Sequence, residues 1–289
     1  MKVGFASADI TPALGMECPG GFSKAYHQKI HDHCYAKAMV IEHVGEAVAF
    51  VGLDTLSVKH SLVETARQRI TDKTGLLGSS IMVGASHTHA GGPIVGAFPG
   101  AFAHAFDPEF CEDLAQNNST SADPDYCRHV SRQIATAVIE AFNRREEAGL
   151  AIGRGEEATV AFNRRFWMKD GTQMTHPGKG NPDIVKPAGP ADPEVGVLSA
   201  WRPDGSFLGC LVNFACHLDV LGNGNHLISA DYPYFMRQTL ANAGFPGATV
   251  LFANGCCGNI NPWDPFDPNY KADHLRMGRM LAETVANVM

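Results

Sequence analysis

A pair of histidines one residue apart, His87 and His89, is the clearest chemical signal in the chain. The pair follows the apolar run 81–83 and precedes Gly91-Gly92-Pro93, a pattern that predicts a buried strand ending in a Gly-rich loop. Side chains i and i+2 of an extended strand point to the same face, so we expect both imidazoles to face one pocket. Two imidazoles in one pocket suit a divalent metal ion, and Zn²⁺ is the first expectation.

Other predicted strands also end in polar residues. His217 closes one apolar run, Asp54 closes another, and a third run, 248–253, leads into the Gly-rich segment 254–262. Strand ends on one edge of a sheet converge even when they are far apart in sequence, and ligands of α/β proteins bind there. We therefore expect these polar residues to meet His87 and His89.

The strand ends offer His87, His89 and His217 as candidate metal ligands, with Asp54 and Asp231 as the candidate carboxylates. Two or three histidines with a carboxylate form an ordinary catalytic zinc set that leaves one position open. One zinc ion is expected, and two are possible if both carboxylates take part. Asp54 can equally be the N-cap of the helix that follows it. Zinc activates water and polarises a carbonyl group, so the predicted reaction is hydrolysis of an amide (N-acyl) or ester bond.

Two further features have a functional and a structural interpretation. Segment 254–262 can present backbone N–H groups to an oxyanion, or it is a tight turn. Arg164 follows a predicted strand, where its guanidinium can bind a substrate carboxylate or form an internal salt bridge. The candidate substrate-binding residues of the segment are Asn254, Gly258, Asn259 and Asn261.

Four phenylalanines recur every fourth residue, which is helical spacing. They form either a core stripe or an apolar wall for an acyl chain, and this spacing leaves both interpretations open. The four residues are Phe98, Phe102, Phe106 and Phe110.

Composition narrows the class of protein. The chain has 289 residues, 45% of them hydrophobic, a formal net charge of −7 and no long basic run. This balance argues against nucleic acid or an anionic membrane as the main partner. The predicted hydrolysis makes a small-molecule or acylated amide substrate the expected partner. No apolar run approaches the roughly 20 residues that span a bilayer. The eight cysteines form no C-x-x-C pair, and we expect a reduced, cytoplasmic protein, with a Cys111–Cys127 disulfide left open.

The alternation of predicted strands and helices indicates an α/β fold: a single domain with a mixed β-sheet flanked by helices. Runs 34–43 and 47–53, separated by Gly45-Glu46, predict a hairpin of central strands. Helices are predicted over 57–73 and 125–143, and two more lie towards the C-terminus at 234–243 and 271–288.

Six short motifs in this order resemble the neutral/alkaline (non-lysosomal) ceramidase superfamily, in its N-terminal catalytic domain. The resemblance spans nearly the whole chain, 1–289. The motifs are Asp9-Ile10-Thr11-Pro12, Ser86-His87-Thr88-His89-Ala90-Gly91, Asn163-Arg164, Asn213-Phe214-Ala215-Cys216-His217, Ser229-Ala230-Asp231-Tyr232-Pro233 and Gly258-Asn259-Ile260-Asn261-Pro262.

The resemblance implies a zinc-dependent amidase, since the family cleaves the N-acyl bond of ceramide. His87 and His217 match two zinc ligands of the family. His89 matches a catalytic histidine near the metal and the substrate carbonyl. Arg164 matches an arginine that contacts the substrate.

The sequence departs from the family pattern at its catalytic loop. Asn261 stands where the family has an essential serine, and Asn259 where it has an aspartate. The family's glutamate and tyrosine ligands lie downstream of the equivalent of this loop, and this chain ends at Met289. We therefore expect a ceramidase-like hydrolase that is not a true ceramidase. The alternatives are a non-catalytic ligand-binding relative and a two-metal hydrolase.

Overall fold

The computed structural model describes residues 1–21, 23–96, 103–118 and 120–289. Within these ranges the α-helices are α1 (His60–Thr74), α2 (Pro108–Asp113), α3 (Pro124–Asn143), α4 (Tyr232–Asn242) and α5 (His274–Val288). The strands are β1 (Lys2–Asp9), β2 (Lys29–Ile30), β3 (Tyr35–His43), β4 (Glu46–Leu53), β5 (Ile81–Ala85), β6 (Glu146–Glu147), β7 (Gly149–Glu156), β8 (Phe162–Asn163), β9 (Arg165–Met168), β10 (Gln173–Thr175), β11 (Ile184–Pro187), β12 (Glu194–Trp201), β13 (Phe207–Phe214), β14 (Leu227–Ile228), β15 (Thr249–Asn254) and β16 (Ile260–Asn261).

Two mixed sheets pack face to face between two helical layers. The first has the strand order β5-β4-β3-β1-β6, and the second has the order β15-β13-β12-β7. Each contains one parallel pair, β4 with β5 and β13 with β15, and its other pairs are antiparallel. The predicted α/β class with a single domain is confirmed. In the described residues the predicted single sheet is divided into these two sheets and three smaller ones, β10-β9-β11, β14-β2 and β16-β8.

Successive side chains of a strand point to opposite faces of the sheet, so alternate residues pack into different hydrophobic clusters. In β1, Ala6 and Ala8 belong to the cluster that contains the apolar faces of α1 and α3. Val3 and Phe5 point the other way, into the layer between the sheets, where they meet Leu251 of β15. A third cluster packs β13 and β15 against α4 and α5. The order of layers is therefore helix, sheet, sheet, helix.

Glycines allow the layers to approach closely. A Cβ atom at Gly4 would lie 2.0 Å from the carbonyl oxygen of Ala141, so α3 lies directly on β1. A Cβ atom at Gly52 would lie 2.8 Å from the carbonyl oxygen of Phe252, so the two sheets touch there. This close contact brings the ends of β4, β5 and β13 to one edge of the molecule.

The predicted hairpin is confirmed as β3 and β4, joined at Val44 and Gly45, which both have positive φ. Of the phenylalanine stripe, Phe98 and Phe102 lie outside the described residues. Phe106 is fully exposed and Phe110 is 58% exposed, so core packing does not explain these two. All eight cysteines, Cys111 and Cys127 among them, are free thiols. None of the helices in the described ranges is long and apolar enough to cross a membrane.

Candidate metal centre

The segment that carries His87 and His89 links the two sheets. Strand β5 ends at Ala85, and the backbone N–H of His87 then donates to the carbonyl of Thr55, beyond the end of β4. Two residues later, the N–H of His89 donates to the carbonyl of Leu218, beyond the end of β13. Strand ends from both sheets thus fix the segment at either side.

His87 and His89 converge as predicted, but not because they lie on an extended strand. The backbone at His87 has φ 73°, a left-handed conformation that a non-glycine residue adopts at a cost of about 1–3 kcal/mol, so the segment is not an extended strand. The two rings nevertheless face each other, with centroids 5.0 Å apart. His217 completes the group from β13, its ring centroid 4.6 Å from that of His87.

We call His87, His89 and His217 the histidine cluster. The Nε2 atom of His87 lies 3.2 Å from Nε2 of His217 and 3.4 Å from Nε2 of His89. Tetrahedral zinc with Zn–N bonds of 2.0–2.1 Å holds its nitrogen ligands about 3.3 Å apart. The cluster is therefore a group that can hold one metal ion.

Backbone carbonyls orient two of the rings. Nδ1 of His87 lies 2.8 Å from the carbonyl oxygen of Leu56, and Nδ1 of His217 lies 2.6 Å from that of Cys257. A carbonyl oxygen only accepts, so each Nδ1 carries the proton and each Nε2 lone pair is left for a metal.

The surroundings favour the neutral form of two imidazoles. Burial, and after it the charges of the neighbouring His87 and His217, lower the pKa of His89 to about 3. Burial and His87 lower the pKa of His217 to about 4. Metal ligands must be neutral imidazoles, so these nitrogens are ready to bind metal at neutral pH.

Asp54 lies outside the histidine cluster. Both oxygens of its buried carboxylate accept hydrogen bonds of 3.0 Å from the guanidinium of Arg237, and one also accepts from the N–H of Tyr35. Helix α1 begins after Lys59, so Asp54 is not its N-cap either. The structure gives Asp54 a buried ion pair between the first sheet and α4.

Asp231 is the fully buried N-cap of α4, with φ 60°. Its carboxylate accepts from the N–H groups of Leu221 and Tyr232 at 2.8 and 2.7 Å. Burial raises its pKa to about 6, against the effect of these hydrogen bonds. Among the described residues, the group that can hold a metal includes neither Asp54 nor Asp231.

Asn254 holds the two histidine segments together. Its Nδ2 donates to the carbonyl of Ser86 at 2.7 Å and to that of Cys216 at 3.0 Å, and its Oδ1 accepts from the N–H of Cys216 at 3.3 Å. Each of these partners precedes a cluster histidine by one residue. The contacts of Asn254 thus position the cluster.

Arg164 and Asn261 lie together beside the cluster. Strand β16 pairs with β8, and Arg164, which follows β8, donates from Nη2 to the carbonyl of Gly258 at 2.6 Å and from its backbone N–H to that of Asn259. Gly258 and Asn259 are exposed. Arg164 and Asn261 line one cavity, and the charge of Arg164 helps to lower the pKa of both His89 and His217.

Two acidic residues near the cluster lay in no predicted site. Asp219 places Oδ1 3.8 Å from Nδ1 of His89, and burial raises its pKa to about 6. Asp32 is buried, accepting from Ser229 at 2.5 Å and from the N–H of Ala230 at 2.8 Å, so it orders the segment before Asp231. The position of Asp32 between His31 and His33 was a sequence signal that could have identified it. For Asp219 the signal was its position two residues after His217.

Similarity to known proteins agrees with the motifs. The chain is 26% identical over 272 residues to the neutral ceramidase of Pseudomonas aeruginosa, covering 90% of this chain and 37% of that protein. The resemblance to the neutral ceramidases is confirmed. A crystal structure of neutral ceramidase from Pseudomonas aeruginosa matches with a TM-score of 0.75 at 20% identity, covering 99% of this chain and 44% of the other.

A second structure, a ceramidase complexed with C2, gives a TM-score of 0.73 at 22% identity, with coverage of 99% and 43%. These structural likenesses show the fold. No family model matches the chain. The ceramidase-like chain therefore spans about two fifths of the length of these relatives.

Proposed function

We propose that residues 1–289 form a ceramidase-like hydrolase domain that depends on one Zn²⁺ ion and cleaves an amide (N-acyl) or ester bond. The observation that carries the proposal is that Nε2 of His87 lies 3.2 Å from Nε2 of His217 and 3.4 Å from Nε2 of His89, the spacing of tetrahedral zinc ligands. The similarity to neutral ceramidase supports the class of reaction.

The three histidines fit zinc by donor type as well as by spacing. Two rings have Nδ1 directed at a backbone carbonyl, and burial keeps His89 and His217 neutral. His89, expected as a separate catalytic group, takes the place of the third ligand. When bound, Zn²⁺ supplies Lewis acidity that activates water and polarises a carbonyl oxygen.

The remaining residues bind and position. Asn254 fixes the segments before His87 and His217, so the cluster is held before a metal arrives. Arg164 presents its guanidinium on the cavity side, where it binds the substrate. Asp54 and Asp231 stabilise the fold around the cluster through Arg237 and the N-terminus of α4.

Metal content tests the proposal directly. Protein purified without chelator is expected to carry about one equivalent of zinc by elemental analysis. The variant His87→Ala/His217→Ala should lose this zinc and all hydrolysis of a panel of N-acyl amides and esters. The matched control is His43→Ala/His60→Ala, which removes two exposed histidines outside the cluster.

Retention of zinc by the cluster variant would overturn the assignment, as would absence of metal from wild-type protein supplied with zinc. The second of these results would favour the non-catalytic relative. A content near two equivalents would favour the two-metal hydrolase. Ceramide belongs in the substrate panel, because the asparagine at position 261 predicts that this lipid is a poor substrate.

A further inference from the structure

A cavity of about 150 Å³ lies beside the histidine cluster and shares its supporting segment. Residues Cys257 to Asn261 have the His217 ring on one side, through the carbonyl oxygens of Cys257 and Ile260. On the other side, Asn261 lines the cavity, together with Arg164 and Trp263. A group bound in the cavity is therefore next to the site proposed for hydrolysis.

The charge of the cavity is one-sided. Arg164 and Lys179 line it, and no acidic residue does. Each cation donates to a backbone carbonyl, Arg164 to Gly258 and Lys179 to Tyr270. Within the described ranges neither forms an ion pair with a carboxylate. Two cations facing one space favour an anionic ligand, and a guanidinium matches a carboxylate.

Asn261 adds a second requirement. Its side chain is 1% exposed, and both Nδ2 and Oδ1 are buried without a hydrogen-bond partner among the described residues. A buried amide without partners has lost its hydrogen bonds to water, so a ligand that supplies both partners gains binding energy there. An amide group offers one acceptor and one donor, whereas an ester offers acceptors alone.

The walls and size limit the ligand. Phe166, Trp263 and Pro265 make much of the lining apolar. The volume equals that of about five water molecules in the liquid, which is room for a group the size of a small amino acid. The cavity therefore suits a short, carboxylate-bearing amide and leaves the acyl chain outside.

We infer that the substrates are N-acyl amino acids, with the amino-acid half in this cavity, its carboxylate on Arg164 and Lys179 and its amide on Asn261. The inference rests on the proposed function and specifies its substrate class. The reaction is RCO–NH–CHR′–COO⁻ + H₂O → RCOO⁻ + ⁺H₃N–CHR′–COO⁻. The C–N bond breaks, a C–O bond forms from water, and both water protons end on the amine. Ceramide has no carboxylate on its amine half, so it lacks the group that the two cations bind.

Binding to metal-free protein tests the cavity without the need for catalysis. Isothermal titration calorimetry compares N-acetylglycine with N-acetylglycinamide, which has the same shape and no charge. We expect N-acetylglycine to bind at least tenfold more tightly. Arg164→Gln should remove that preference, and Lys179→Gln should reduce it at least threefold. The matched control is Arg165→Gln, because Arg165 is the exposed neighbour of Arg164 and does not line the cavity.

Equal binding of the two probes to wild-type protein, or binding of neither, would overturn the inference. A preference that persists in both Arg164→Gln and Lys179→Gln would also overturn it. Failure of the proposed function has a different signature, which is absence of zinc and of hydrolysis. Carboxylate-dependent binding without zinc or hydrolysis would support the cavity as a carboxylate-binding site and would overturn the proposed function.

Discussion

The histidine cluster and the Asp54–Arg237 pair both lie where strands end, and their polar atoms are used in opposite ways. In the cluster, the Nε2 atom of His87 lies within 3.4 Å of Nε2 of both His89 and His217, and the rings of His87 and His217 direct Nδ1 at backbone carbonyls. In the pair, both carboxylate oxygens are taken up by one guanidinium in two bonds of 3.0 Å. A polar residue at a strand end is thus either a site or a structural link, and the use of its lone pairs decides which.

Breaking the Asp54–Arg237 pair should cause the largest loss in the free energy of unfolding. Asp54→Ala leaves the guanidinium of Arg237, which is 13% exposed, without its anion. Removing one partner of a buried pair costs about 3–5 kcal/mol of the free energy of unfolding. Urea denaturation followed by circular dichroism measures this loss.

An exposed pair provides the control. Glu140 on α3 and Arg144, the C-cap of that helix, are 42% and 63% exposed, so Glu140→Ala should cost at most about 1 kcal/mol of the free energy of unfolding. If Asp54→Ala costs as little as the control while zinc content falls, Asp54 is a metal ligand, and the contrast drawn between the two regions is wrong.

The cluster should respond in the opposite sense, with a large change in metal affinity and a small change in stability. Asn254→Ala removes the bonds to the backbone of Ser86 and Cys216, which place His87 and His217. Loss of a group that orients ligands lowers metal affinity by about 10–100-fold. Competition with a chromophoric zinc chelator measures the affinity.

Asn213 is the matched control for Asn254. It lies on β13 and donates a single side-chain hydrogen bond, 2.9 Å long, to the carbonyl of Ala253. Asn213→Ala should leave zinc affinity within about twofold of wild type. Equal losses in the two variants would mean that Asn254 has no special role in placing the histidines.

The local pattern of the sequence predicts one region better than the other. An apolar run followed by a polar residue marks the ends of β4, β5 and β13, and that signal finds His87, His89 and His217. The signal cannot separate them from Asp54, because the partner of Asp54 is 183 residues away on α4 and no local motif encodes the pairing. Asp219 was missed for a similar reason, since its proximity to His89 depends on the contact between the two sheets.

The motifs and their order carry the resemblance to the ceramidases, and the structure shows the contacts of each residue. Asn254 was expected to bind substrate because it begins a Gly-rich segment. Its amide instead forms hydrogen bonds with the backbone of Ser86 and Cys216. Asn261 looked like the remnant of a lost serine. Its amide has no hydrogen-bond partner among the described residues and lies beside the cavity lined by Arg164 and Lys179, so Asn261 is a candidate for substrate recognition. That role depends on the burial of the amide and on its lack of partners, and neither property can be predicted from the sequence.

Lys37 is a third charged residue beside the Asp54–Arg237 pair, and its replacement should change the free energy of unfolding by less than Asp54→Ala does. Burial, and after it the charge of Arg237, lower the pKa of Lys37 to about 8 against the opposing effect of Asp54. Asp54 is already taken by Arg237, so the ammonium is incompletely balanced at pH 7. The Lys37 ammonium also lies over the ring of Tyr35, 4.7 Å from the centroid. Lys37→Met should therefore raise the free energy of unfolding by about 1–2 kcal/mol at pH 7.

The pH dependence of that gain separates electrostatics from packing. The unfolded chain titrates Lys37 near 10.4, so between pH 8 and 10.4 the unfolded state binds more protons than the folded state. Wild-type stability relative to Lys37→Met consequently rises through this window. The advantage of the variant is full below pH 8, falls between pH 8 and 10.4, and is lost above pH 10.4. Urea denaturation at pH 7, 9 and 10 measures the difference. An advantage that stays constant across these pH values would show that methionine packs better, and that the charges around Asp54 are balanced after all.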